Sequence, residues 1–83
     1  MKKIPFTIDI RKKSLTGYLQ TNDHSEPPKV FFVHVENWIV GNLICTPNGW
    51  DFEQVGIRLE KLTENERKEN ADYLGNIVVE FYE

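Results

Sequence analysis

Two apolar stretches, residues 30–35 and 38–45, are separated by only Glu36 and Asn37. Two residues leave no room for a helix or a crossover, so the stretches must pair as an antiparallel hairpin. Asn37, at the second turn position, tolerates positive φ. The gap also sets a register, with Val35 opposite Trp38, Val33 opposite Val40, and Phe32 opposite Gly41, where the ring can cover bare backbone. A second turn follows in Thr46-Pro47-Asn48-Gly49. Proline suits position i+1 of a type I turn, and Gly49 can take the left-handed residue after it. That turn sets Cys45 opposite Trp50 and Leu43 opposite Phe52, so residues 29–54 read as a three-stranded central meander.

In this register both faces of the meander are apolar. One carries Val30, Phe32, His34, Ile39, Leu43, Cys45, Trp50 and Phe52. The other carries Phe31, Val33, Val35, Trp38, Val40 and Ile44, with Asn42, Asp51 and Glu53 toward one end. Each face needs cover, from a layer of this chain or from a partner. Phe31, Val33, Trp38 and Val40 form the candidate partner surface.

Upstream, Ile4, Phe6, Ile8 and Ile10 alternate with Pro5, Thr7 and Asp9, the period of a half-buried strand. Pro5 suits an edge position, because it cannot donate to a ladder. Residues 11–14 read as a polar turn and residues 15–20 as the return strand, with Leu15, Gly17 and Leu19 on one face. This N-terminal hairpin (1–20) can fold over the second face of the meander and give a small barrel or sandwich. Residues 21–28 are loop by composition.

Thr63-Glu64-Asn65-Glu66 is a capping box, in which the threonine side chain accepts from the N3 amide while Glu66 reaches back. Beyond it Ala71, Leu74, Ile77, Val78 and Phe81 fall on one helical stripe, which predicts a helix over 63–82. Gly75-Asn76 is its weak point, and the alternative is a helix ending there with a strand over 77–82. Residues 55–62 are a connector with room for part of a strand. The fold class is α+β: about five antiparallel strands in a meander, curled toward a small barrel, packed against one C-terminal helix in a single domain (1–83).

Composition narrows the function classes. The chain of 83 residues is 40% hydrophobic and 12% aromatic, as a globular domain is. No apolar run reaches the roughly 20 residues of a membrane helix. The N-terminal lysines are not followed by the apolar core or cleavage site of a signal peptide. A cytoplasmic location is expected, in keeping with a single cysteine and no intrachain disulfide.

Net charge is −3, which argues against nucleic acid. The first 42 residues nevertheless hold six basic and four acidic side chains. Lys2, Lys3, Arg11, Lys12 and Lys13 can gather beside Phe6 and Tyr18 as a basic patch for a single strand.

Chemistry has little to stand on. One cysteine and two histidines ten residues apart do not make a zinc site. Asp23, His24 and Glu26 are a polar cluster better read as solvated loop. His34 reads as a core-edge histidine and Cys45 as a buried thiol, on one face but too far apart for a nucleophile and base. No phosphate-binding, dinucleotide, nucleophile-elbow or zincin motif is present. No catalytic residue, metal or cofactor is expected. The expected function is a non-catalytic protein-interaction module, self-association included, with a nucleic-acid-binding β-domain and a minor enzyme or accessory subunit as alternatives.

Tyr18-Leu19, the run FFVHVENWIVGNLI, NGWDF and the L-G-x-I of the helix resemble small single-domain proteins of Bacteroides-type bacteria. The resemblance covers most of the chain and rests on structural positions. It implies a bacterial cytoplasmic origin, and it carries over no activity and no functional residues.

Overall fold

The computed structural model describes residues 2–83. Five strands, β1 (Ile4–Ile10), β2 (Lys13–Gln20), β3 (Val30–Val35), β4 (Trp38–Thr46) and β5 (Gly49–Gln54), are followed by one helix, α1 (Glu64–Tyr82). The strands form a single antiparallel sheet in the order β1-β2-β3-β4-β5. The N-terminal hairpin therefore does not fold over the meander. It extends the same sheet, with Leu19 paired to Val33 and Tyr18 to His34. The sheet curls, and α1 packs into its hollow against β5, β1 and β4. No strand forms in the connector between β5 and α1.

The turns follow their chemistry with two departures. The β1–β2 turn is only Arg11-Lys12, both at positive φ (51° and 69°), so β2 starts at Lys13, inside the expected polar turn. In the β3–β4 turn the positive φ falls on Glu36 (57°), not on Asn37. A single positive φ at the first of two turn residues is the type II′ pattern, which suits the twist of the flanking strands. Gly49 follows the Pro47-Asn48 tip at φ 123°, a value open to glycine.

One irregularity in β4 decides which residues are inside. Val35 pairs with Trp38 and His34 with Ile39, but Val33 pairs with Gly41 and Phe32 with Asn42. Val40 is thus an extra residue, a β-bulge, and side chains beyond it change face. The expected pairings Val33–Val40 and Phe32–Gly41 are each off by one, whereas Cys45–Trp50 and Leu43–Phe52 form as expected. It is the Phe52 ring, not Phe32, that lies over Gly41, where a Cβ would collide with it.

The hollow face now collects residues from both expected faces. Phe31, Val33 and Val40 join Leu43 and Phe52 with Ile4, Phe6, Ile8, Ile10 and Leu19. From the helix side come Ala71, Leu74 and Val78, and Leu62 closes the connector end. The helix is continuous through Gly75, and its capping box is complete, with Thr63 Oγ1 accepting from the Glu66 amide at 3.1 Å and Glu66 accepting from the Thr63 amide at 2.8 Å. Its buried stripe runs through Ala71, Leu74, Gly75 and Val78. Tyr82 continues that spacing, with its ring centroid 6.4 Å from that of Phe31, and both Phe81 and Tyr82 are exposed.

Candidate functional site

Among the described residues no layer covers the outer face of the sheet, because α1 fills the hollow and the N-terminal hairpin lies in the sheet itself. The alternation of β2 and β3 sends Tyr18, Val30, Phe32 and His34 to this face, Ile39 joins them opposite His34, and the bulge brings Ile44 there opposite Val30. Val30 and Ile39 are exposed, and the other four are half-buried by their neighbours in the sheet. The rings of Tyr18 and His34 stack with centroids 4.4 Å apart and planes 12° off parallel. Lys3 Nζ stands 4.6 Å from the Tyr18 centroid, a cation over a π face. Partial burial, and the nearby Lys3 charge after it, lower the His34 pKa.

Charge is distributed across this face. Lys3 marks the β1 side. Asp51 and Glu53 mark the β5 side, with Glu53 Oε1 accepting from Asn42 Nδ2 at 3.1 Å. The apolar residues lie between. Around the sheet's end, Trp38 is 48% exposed, with the Arg58 guanidinium 3.5 Å from its ring centroid, and neighbouring Ile57 is almost fully exposed.

The candidate partner surface is corrected by these positions. Phe31, Val33 and Val40 are core residues, at most 3% exposed, because the bulge turns them inward with Leu43. Only Trp38 of the four remains at the surface. The basic patch is also divided. Lys2 and Lys3 precede β1, and Arg11, Lys12 and Lys13 lie at its other end, about 20 Å away at ~3.3 Å per residue.

Arg11 is engaged rather than free. Nε and Nη2 donate to the Glu66 carboxylate at 2.9 and 2.8 Å, Nη1 donates to Glu60 at 2.8 Å, and Nη2 also reaches the Lys61 carbonyl at 3.1 Å. The β1–β2 turn is thereby tied to the start of α1. Midway along β1, Tyr73 donates to the Thr7 carbonyl at 3.0 Å, satisfying an acceptor on the edge of the strand.

The residues considered for chemistry are dispersed. His34 faces outward, whereas Cys45 lies opposite Trp50, whose ring packs on α1 in the hollow, so the two occupy opposite faces. Asp23 is held by the backbone of its own loop. Its oxygens accept the amides of Ser25 at 2.9 Å and Lys29 at 2.6 Å, which shapes the loop before β3. Two grooves flank the helix. One of about 970 Å³ lies between β5 and the first turns of α1, with charges of both signs. The other, of about 620 Å³, is mostly apolar and lies among Pro27, Pro28, Cys45, Trp50, Val78 and Tyr82.

Two carboxylates give the fold a pH signature. Hydrogen bonds from Arg11, then from the Thr63 amide, hold Glu66 down to about 2, and the Lys29 and Ser25 amides hold Asp23 down to about 2. Both values are below those of the unfolded chain, so each group adds stability above the unfolded pKa and loses it as pH falls toward its folded value. The urea midpoint is expected to hold level above about pH 5 and to fall from about pH 4.5 toward 2. Glu66→Gln should shrink that fall; an unchanged acid limb in the variant would remove Glu66 from this role.

Comparison with protein-family models, curated proteins and solved structures finds no match for the chain. No helix among the described residues is long and apolar enough to cross a membrane.

Proposed function

We propose that this chain is a small non-catalytic interaction module that binds a protein through the outer face of its sheet. The observation that carries this reading is the set Tyr18, Val30, Phe32, His34, Ile39 and Ile44 on the sheet face opposite the one that α1 packs on. Contiguous apolar surface of this kind, rimmed by charge and carrying aromatic anchors, suits a partner better than it suits water. His34 and Cys45 on opposite faces, and Asp23 and Glu66 committed to hydrogen bonds that hold the fold, favour a role without catalysis. A single-stranded nucleic acid fits less well, since the lysines lie at opposite ends of β1 and Asp51 and Glu53 border the aromatic residues. A bacterial cytoplasmic setting belongs to the same proposal.

The test is photo-crosslinking in the source cells, with a photoreactive residue at position 32 on the outer face or at position 69 on the exposed side of α1. Discrete protein adducts from position 32 and none from position 69 are expected. No adduct from position 32 would overturn the reading.

A further inference from the structure

We infer that the free edge of β5 takes an extended peptide from another protein as a sixth, antiparallel strand, and that this peptide carries basic residues at alternate positions. The site is separate from the outer apolar face and does not depend on it.

The two edges of the sheet differ. β1 and β5 are its outermost strands. The two-residue β1–β2 turn closes on the Ile10–Lys13 pair, so Ile4, Phe6, Ile8 and Ile10 bond to β2, and the backbone of Pro5, Thr7 and Asp9 faces outward. Pro5 has no N–H to offer, and the Thr7 carbonyl already accepts from Tyr73. That edge is blunted against a new strand. On β5 the parity follows from two bonds. The Cys45 amide donates to the Lys29 carbonyl at 2.7 Å, and the Val55 amide donates to the Val40 carbonyl at 3.0 Å. Cys45 thus turns to β3, its neighbours Ile44 and Thr46 turn to β5, and Asp51, Glu53 and Val55 bond back to β4. The N–H and C=O groups of Trp50, Phe52 and Gln54 therefore point off the sheet, and among the described residues they have no backbone partner.

The groove of about 970 Å³ follows this edge. Residues 51–54 all line it, and because their side chains alternate between the two faces, the edge of the strand is what all four share. Its far wall is the start of α1, with Glu64, Arg67 and Lys68, and its volume is that of a ligand site. A peptide laid there pairs its backbone with Phe52 and Gln54 by strand addition.

Charge selects the occupant. Asp51 and Glu53 stand at the non-hydrogen-bonded positions of the new pairing, where opposed side chains come closest, with Cα atoms about 4.5 Å apart. A second β5 does not fit, since every antiparallel register that bonds Phe52 sets an acid of one copy opposite an acid of the other. A strand with Lys or Arg at two positions separated by one residue meets both acids with opposite charge. The residue between them lies opposite Phe52, on the side of Leu59, and suits an apolar side chain.

Titration of isotope-labelled protein with the capped peptide Thr-Lys-Val-Lys-Thr at low salt, followed by amide chemical shifts, tests this. The amides of Phe52 and Gln54 are expected to shift most, with a dissociation constant on the order of 0.1–1 mM. Asp51→Lys and Glu53→Lys should each weaken binding about fivefold. N-methylation of the peptide's valine should weaken it about tenfold, because it removes the N–H that meets the Phe52 carbonyl. Both acids are exposed, and the same spectra show that each variant is folded. No shift at millimolar peptide, shifts at Phe32 and His34 in place of Phe52 and Gln54, or equal binding of the N-methylated peptide would overturn the inference. So would movement of the same edge amides on diluting the protein alone, which would put a second copy there. Each outcome leaves the crosslinking test at position 32 to decide the outer-face reading separately.

Discussion

Replacing Gly75 by alanine is expected to cost the protein about 2–4 kcal/mol, although the same change on an exposed helix face gains about 1 kcal/mol. A Cβ at Gly75 would overlap Cδ1, Cγ and Nε1 of the Trp50 indole, whose ring lies flat against the helix at that point. Helix backbone and sheet cannot both keep their places, so the indole has to leave the hollow. It would take with it the contact to Phe31, whose centroid lies 6.3 Å from its own. The cost of expelling a large aromatic side chain exceeds the propensity gained. Thermal unfolding checks this, with a drop in midpoint of more than about 10 °C expected for Gly75→Ala in a domain of this size. Asn76→Ala, one residue on and exposed, should move it slightly upward. Trp50→Leu in the Gly75→Ala background should restore part of the loss, and additive losses would show that the two residues do not meet.

Much of this architecture was legible in the sequence. Alternation fixes β1, the two-residue gap fixes the central hairpin, the Pro-Asn-Gly turn fixes β4 against β5, and the capping box fixes the first turn of α1. Each of these signals is local, and each leads to one backbone geometry. The bulge at Val40 is not local in that way, because an extra residue in one strand is defined only against the neighbouring strand. One sign of it was present. Unbroken alternation through Val40, Asn42 and Ile44 sets Asn42 among apolar neighbours, at a cost that a bulge removes by turning the amide outward beside Glu53. Reading that conflict would have moved Phe31, Val33 and Val40 inward, and Phe32 and His34 outward.

The role of Gly75 was hidden for a related reason. In isolation a glycine next to an asparagine marks a helix end, and only the opposing indole shows why a mid-helix residue should lack a side chain. The Arg11 cluster joins residues 49 and 55 positions apart, a separation at which no spacing rule operates. It also explains why a turn whose two positive-φ sites favour Asn-Gly holds arginine at the first of them. The side chain is used at the far end of the hollow, where it anchors α1.

The second large effect separates two adjacent residues, Phe31 and Phe32. Phe31 is 1% exposed and packs with Trp50 and Tyr82, whereas Phe32 is half-buried on the outer face. Truncating a fully buried phenylalanine costs about 3–5 kcal/mol, a large part of the total stability of a domain this small. A carboxylate in its place adds an unpaired charge in the core, which a domain of this size cannot sustain. On the outer face the same carboxylate stays in water and should cost no more than about 1 kcal/mol. Urea denaturation of Phe31→Asp and Phe32→Asp, each in dilute protein so that association does not contribute, compares them directly. An unfolded Phe31→Asp beside a cooperatively folded Phe32→Asp is the result expected if the bulge divides the sheet into a filled hollow and an open outer face. Equal loss in both variants, or the greater loss at Phe32, would contradict that division and the interaction surface built on it.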